Sequence, residues 1–166
     1  KKIKKAFCLK RNLKKLLGNL IKQMTKHNQY YYETDRNLPI KRKIKFFHLS
    51  EFDSPDEVGS GKYMKLDFVR KLDEARELAN VSFKITSGFR TKAYNEQLKL
   101  RGYKASNNSA HLKGIAADIA TPTSEIRYKV LSALIRVGFN RIGIGKTFIH
   151  ADTDHTKTPE VCWHYY

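Results

Sequence analysis

Cysteine is scarce in this 166-residue chain. Cys8 and Cys162 are the two present, and neither has metal-ligand spacing to another cysteine. That excludes a disulfide framework and any cysteine-built metal knot. Long apolar runs are missing as well: none approaches the ~18 residues that cross a bilayer. The start does not read as a secretory signal. Lys14 and Lys15 interrupt its apolar stretch, and no small-residue cleavage site follows. The chain begins at Lys1 rather than at methionine, which fits a fragment or a processed product and leaves the compartment open. There are no internal repeats, and no low-complexity tract beyond the lysine-rich start. Acidic residues are absent from the first 26 positions, which hold ten Lys and Arg.

What is present divides unevenly. Hydrophobic residues make up 40% of the chain, enough for one compact core plus an appendage. The net charge of +17 is concentrated at the start. Residues 1–45 carry 15 basic and 2 acidic residues, hence +13; residues 46–166 carry 18 and 14, hence +4. The expected division is therefore a basic helix and linker over 1–45 and a globular domain over 46–166. In the first part, Ile3, Leu13, Leu16, Leu17, Leu20, Ile21 and Met24 recur largely at helical spacing among lysines. That pattern predicts an amphipathic basic helix suited to an anionic envelope or membrane surface, or to packing on its own domain. Tyrosines and lysines over 27–45 form no nucleic-acid motif, so no specific nucleic-acid recognition is expected.

Along the globular part, Leu66, Val69, Leu72, Ala75 and Ala79 share one face of a helix over 65–79. Val81 to Thr86 alternates as a strand, and Thr91 to Leu100 reads as a second helix. Gly114 to Ala120 reads as a strand with Ala116 and Asp118 on one face. Pro122 suits the first position of a helix whose buried stripe is Ile126, Val130, Leu131, Leu134 and Val137, and Gly138 stops it. Asn140–Ile144 and Phe148–Asp152 form a hairpin around Gly145-Lys146. Mixed elements without regular βαβ alternation predict an α+β fold with a largely antiparallel sheet flanked by helices.

The chemistry gathers in Ser109-Ala110-His111-Leu112-Lys113-Gly114-Ile115-Ala116-Ala117-Asp118, that is S-x-H-x-x-G-x-A-x-D. A third candidate, His150, stands in Phe148-Ile149-His150-Ala151-Asp152. The three suggest a mononuclear His/Asp/His zinc site with one position left open, the arrangement of catalytic rather than structural zinc. On a strand, residues two apart share a face. Phe148, His150 and Asp152 thus point one way, and Ile149 and Ala151 point to the core.

Together with Ser87-Gly88-Phe89-Arg90, and in this order, these motifs resemble the zinc D-Ala-D-Ala carboxypeptidase family. That family takes in the VanX and VanY peptidases and phage endolysin peptidases, and its fold is shared by hedgehog-type domains. The resemblance runs from near Phe46 to the C-terminus. It implies one Zn²⁺ per chain held by His111, Asp118 and His150. It implies that Arg90 binds substrate and steadies the developing oxyanion, a task that suits a planar guanidinium. The substrate it implies is a peptidoglycan peptide, cut by a carboxypeptidase or endopeptidase. The lack of an export signal would suit a phage or mobile-element lysin.

Hydrolysis also needs a proton acceptor. No acid lies in Lys146–Ile149, and the glutamate-containing segment of VanX-type peptidases is missing; Glu160–His164 resembles it only loosely. Asp152 is the expected base, with orientation of a ligand histidine as its alternative role. His164 is the reserve proton donor. Ser109 is expected to hydrogen-bond substrate or hold its loop, and Trp163 to wall the pocket. A monomer is expected. Two other readings are a non-catalytic zinc-stabilised module of the same fold and a tether dominated by the basic extension.

Overall fold

The computed structural model describes residues 43–165; the amphipathic segment and most of the linker lie outside them. Among the described residues, no helix is long and apolar enough to cross a membrane.

The described chain starts by fastening itself to a helix. The first helix, α1, spans Leu66–Ala79 and buries Phe68, Val69, Leu72, Ala75 and Ala79. Its Asp73 is fully buried. The carboxylate accepts backbone N–H bonds from Lys45 at 3.2 Å and Phe46 at 2.8 Å. A buried charge is tolerated only when paired or hydrogen-bonded in this way. Ile44 also packs against the core, so the packed region reaches a little before residue 46. Leu66, expected in the stripe, is exposed at the first helical position, and Phe68 is buried in the stripe. The helix stops at Asn80, whose φ of 51° is left-handed.

The expected strand over 81–86 is shorter and later. Strand β1 is Ile85–Ser87. The residues before it run extended, with Phe83 buried in the core. Helix α2, Lys92–Leu100, is capped by Thr91, whose hydroxyl accepts from the Tyr94 N–H at 3.0 Å. A 3₁₀ turn, Ala110–Lys113, leads into β2, Ala116–Ala120. Helix α3, Ser124–Arg136, begins two residues beyond Pro122. The Thr123 side chain caps it by accepting from Ile126 N–H at 3.2 Å, and a hydroxyl cap sets the boundary more strongly than a permissive proline. Gly138, with φ 87°, ends the helix as expected.

Strands β3, Arg141–Ile144, and β4, Phe148–Asp152, form the expected hairpin. A fifth strand, β5, Val161–His164, was not legible; it runs parallel to β3. The sheet order is β1-β2-β4-β3-β5, antiparallel except at β3–β5. The fold is α+β. Ala117, Ile119, Ile149 and Ala151 turn one face of β2 and β4 into the core that includes α1 and α3 residues such as Leu72 and Leu134. The other face of the same two strands carries Asp118, His150 and Asp152.

Candidate metal centre

Register brings the charged residues together. In the antiparallel β2–β4 pair, Asp118 stands opposite His150 and Ala116 opposite Asp152. Directly opposed residues share a face. His111 comes from the 3₁₀ turn before β2. Ser109 caps that turn, its hydroxyl accepting from the His111 N–H at 3.3 Å. Gly114 closes it with φ 67°, where a side chain would also strike the Tyr63 carbonyl. Of the roles expected for Ser109, the contact observed is the one that holds the loop.

Three side-chain atoms converge. His150 Nδ1 is 2.8 Å from Asp118 Oδ1 and 3.2 Å from His111 Nε2, and His111 Nε2 is 3.4 Å from Asp118 Oδ1. All three residues are buried. A tetrahedral ion with bonds of ~2.0–2.1 Å separates neighbouring ligands by about 3.3–3.4 Å. Two edges are close to that size and the third, at 2.8 Å, is shorter, while two imidazole nitrogens with one carboxylate oxygen are a normal donor set for zinc.

The surroundings fix which nitrogen faces the triangle. His111 Nδ1–H donates to the Gly88 carbonyl at 2.7 Å, leaving Nε2 as the inward lone pair. Gly88 packs directly against Phe52, which a side chain would prevent. A Cβ there would lie 2.5 Å from Phe52 Cα. On His150, Nε2–H donates to Asp152 Oδ2 at 3.1 Å, so Nδ1 faces inward. Such outer hydrogen bonds set tautomer and ring angle for a metal-holding histidine. Arg90 donates from one Nη to Asp118 Oδ2 at 2.9 Å and from Nε to Ser87 Oγ at 2.8 Å. Its observed contacts orient Asp118, although its side chain also borders the cavity.

Asp152 sits differently from what a base requires. It lies on the far nitrogen of His150, not on the triangle. Its Oδ1 accepts from Arg141 Nε at 2.8 Å and from the Asp154 N–H at 2.9 Å, while Oδ2 accepts from His150 Nε2–H. With both oxygens engaged, the geometry favours orientation of His150 over proton acceptance. His164 is not brought to the group. It is exposed and alternates away from Trp163 and Tyr165, which share the His150 side of β5. The Trp163 ring lies 5.6 Å from His150, and Tyr165 lies 6.2 Å from it. Gly143 makes room for both aromatics: a Cβ there would lie 2.5 Å from the Tyr165 ring.

Electrostatics follow the burial. Burial lowers the His111 pKa below its ordinary value, favouring the neutral imidazole a metal needs. Burial opposes ionisation of Asp118, but the neighbouring His111 and His150 outweigh it and hold the carboxyl well below the usual range. Burial likewise opposes charge on His150, yet the Asp118 and Asp152 carboxylates beside its two ring nitrogens raise its pKa. Burial and the Asp118 charge push the Tyr165 phenol up to about 12. It therefore keeps its proton near neutrality.

The group lies in a cavity of about 660 Å³, bordered also by Tyr94, Arg101, Lys104, Phe148 and Tyr165. The Peptidase M15 family model matches residues 45–152, well over half of the chain. The chain belongs to the Peptidase M15 family. Its members are metallopeptidases, and the match covers all three converging ligands. No curated protein matches the chain. One solved structure, the L-Ala D-Glu endopeptidase ChiX of Serratia marcescens, is 20% identical, with a TM-score of 0.46 over 57% of this chain and 84% of its own.

Two residues beside the triangle, both at the cavity, do not show in the motifs. Arg141 has a usable signal: continuing the hairpin register places it opposite Asp152. Tyr165 has none, because β5 joins by a parallel pairing with no tight turn to announce it.

Proposed function

We propose that the globular domain, from about residue 46 to 166, is a zinc-dependent peptidase that hydrolyses peptidoglycan peptides with a D-amino acid at or near the cut bond. The observation that carries this reading is the buried triangle of His111 Nε2, Asp118 Oδ1 and His150 Nδ1, with edges of 2.8–3.4 Å, at the base of a cavity. A bound zinc ion supplies Lewis acidity towards a peptide carbonyl and lowers the pKa of water.

The remaining work belongs to the chain. His111, Asp118 and His150 hold the ion. The Gly88 carbonyl and Asp152 fix the two imidazole tautomers, and Arg90 fixes Asp118. Arg90 also faces the cavity, where its cationic edge can meet a substrate carboxylate or oxyanion. Tyr165 keeps its proton and can donate a hydrogen bond to charge developing on the carbonyl oxygen. Trp163, with Arg141 5.5 Å over its ring, walls the cavity and limits water. Carboxypeptidase action at the C-terminal residue and endopeptidase action inside the peptide are both open to this site.

One observation favours a second reading, a metal-holding module that binds peptide without cutting it. Asp152, the acid expected to act as base, has both oxygens committed. A single experiment separates the two. The purified protein is assayed for zinc and incubated with purified peptidoglycan, and released fragments are read by mass spectrometry. The peptidase reading expects zinc and new peptide fragments, both lost in His111→Ala. Zinc with bound but uncut wall material would favour the binding module, and no zinc at all would overturn both.

A further inference from the structure

The cavity is lopsided in charge, and the surplus is not used by the metal centre. The acids that border it are Asp118 and Asp152. Each already has its cation: Arg90 at 2.9 Å and Arg141 at 2.8 Å. Lys157, also on the border, lies 3.4 Å from the buried Asp154. That leaves Arg101 and Lys104, which border the cavity from the segment after α2. Among the described residues, neither side chain makes an ion pair, and no acid other than Asp118 and Asp152 borders the cavity.

The segment that carries them is anchored. Tyr103 N–H bonds to the Leu98 carbonyl at 3.0 Å, and Gly102 N–H bonds to the Lys99 carbonyl at 2.9 Å, with Gly102 at φ 81°. Buried Asn95 donates from Nδ2 to the Ser106 carbonyl at 3.1 Å. Both side chains are exposed to solvent, on a backbone that these bonds hold at the rim of the cavity. A rim of this kind attracts a negative group on whatever peptide lies across the metal centre.

We propose that Arg101 and Lys104 form a carboxylate subsite, which selects peptides bearing a free carboxylate away from the carbonyl being attacked. The inference rests on the peptidase reading and names the class of peptide it prefers. A side-chain carboxylate within the peptide and the carboxylate of its C-terminus share this chemistry, and the test distinguishes them.

The probes are three forms of one synthetic cell-wall peptide: both carboxylates free, the internal acid amidated, and the C-terminus amidated. The zinc-loaded full chain is assayed for kcat and KM on each, and for equilibrium binding of each by calorimetry. Partly exposed charge pairs contribute modestly, so losing the partner of both cations is expected to raise KM or Kd about 3- to 10-fold. The form that suffers the loss identifies the carboxylate, and kcat stays within about two-fold. The gap narrows as salt rises, as screening requires. The double variant Arg101→Gln with Lys104→Gln is expected to bind all three forms alike, at the weaker level, with unchanged circular dichroism and zinc content. A wild-type protein that treats all three alike overturns the subsite, as does a double variant that still discriminates. If no form is cut, the peptidase reading fails on its own. The binding arm still decides the subsite by the same comparison.

Discussion

The two faces of β2 and β4 are built from alternate residues of the same two strands, yet they have opposite chemistry. One face offers Ala117, Ile119, Ile149 and Ala151 to the core, all fully buried. The other offers Asp118, His150 and Asp152, also buried but charged or polar and bordering the cavity. Apolar burial on the first face stabilises the fold without direction. On the second face every buried polar group depends on a particular partner at hydrogen-bond distance, since an unpaired one is costly. Damage to the two faces should therefore look different.

The sharpest break is on the polar face. His111→Ala removes one corner of the triangle, and two remaining ligands do not hold a catalytic zinc. Zinc content should fall by about one equivalent per chain, and peptide hydrolysis should drop to background, while far-UV circular dichroism persists. A variant that keeps its metal would show that the triangle is not the site.

The matching break on the core face is Ile149→Ala. Truncating a fully buried isoleucine should cost about 2–4 kcal/mol of stability. The denaturant midpoint should fall accordingly. Below that midpoint, each folded molecule should still hold zinc and cut peptide at close to the normal rate. Loss of metal from the folded variant would mean that the two faces are not independent.

How much of this is legible in the sequence depends on range. Alternation within β4 is local, so Phe148-Ile149-His150-Ala151-Asp152 shows by itself which residues face the site. The motif around His111 and Asp118 is also compact in sequence. β5 is illegible because a parallel partner is chosen by distant packing, not by a turn. The role of Asp152 cannot be read from residue type, since a carboxylate two residues after a ligand histidine serves either as base or as orienter. The position of His150 Nε2, and of Arg141 beside it, is what favours the orienter. The early edge of the domain is hidden because Asp73, an ordinary helical acid in sequence, turns inward to bind Lys45 and Phe46 backbone.

A subtler break concerns Asp152. In Asp152→Asn the amide must face both Arg141 Nε and His150 Nε2, which are both donors. Its NH₂ group then opposes one of them. His150 is driven towards the other tautomer, with its proton at Nδ1, where the metal should sit. Zinc affinity is expected to fall about 10- to 100-fold, measured by competition with a chelating dye. If affinity is unchanged and only turnover falls, Asp152 is the base after all.

Smaller still is the effect of Asp154, which ties the segment after β4 to the motif loop. It is buried and accepts from Lys113 Nζ at 2.9 Å and Thr156 Oγ1 at 2.7 Å. Burial opposes its ionisation, but the bonds from Lys113 and Thr156 outweigh it and hold its carboxyl below the ordinary range. A depressed carboxyl stabilises the fold above its unfolded value of about 3.9 and loses that contribution as pH falls further. Asp154→Asn in metal-free protein should thus be about 1–3 kcal/mol less stable at pH 7. The gap to the wild type should shrink steadily below about pH 4. A constant gap across that range would mean that the charge is not what stabilises.

The smallest effect on chemistry is expected from the most highly charged part of the chain. Residues 1–45 carry +13, against +4 for the rest. If that charge serves to reach anionic envelopes, it acts before the peptide enters the cavity and leaves the triangle untouched. The deletion must spare Ile44 and Lys45, because the first packs on the core and the second binds Asp73. A chain beginning at Lys43 should hydrolyse a small soluble peptide within about two-fold of the full chain, since both faces of β2 and β4 are intact. Its sedimentation with whole cell walls or anionic vesicles should be weaker at low salt, and the difference should vanish as salt screens the lysines. Equal binding at low salt would remove the tether. Loss of zinc or of cooperative unfolding in the shortened chain would instead assign the extension to the packing of the core face.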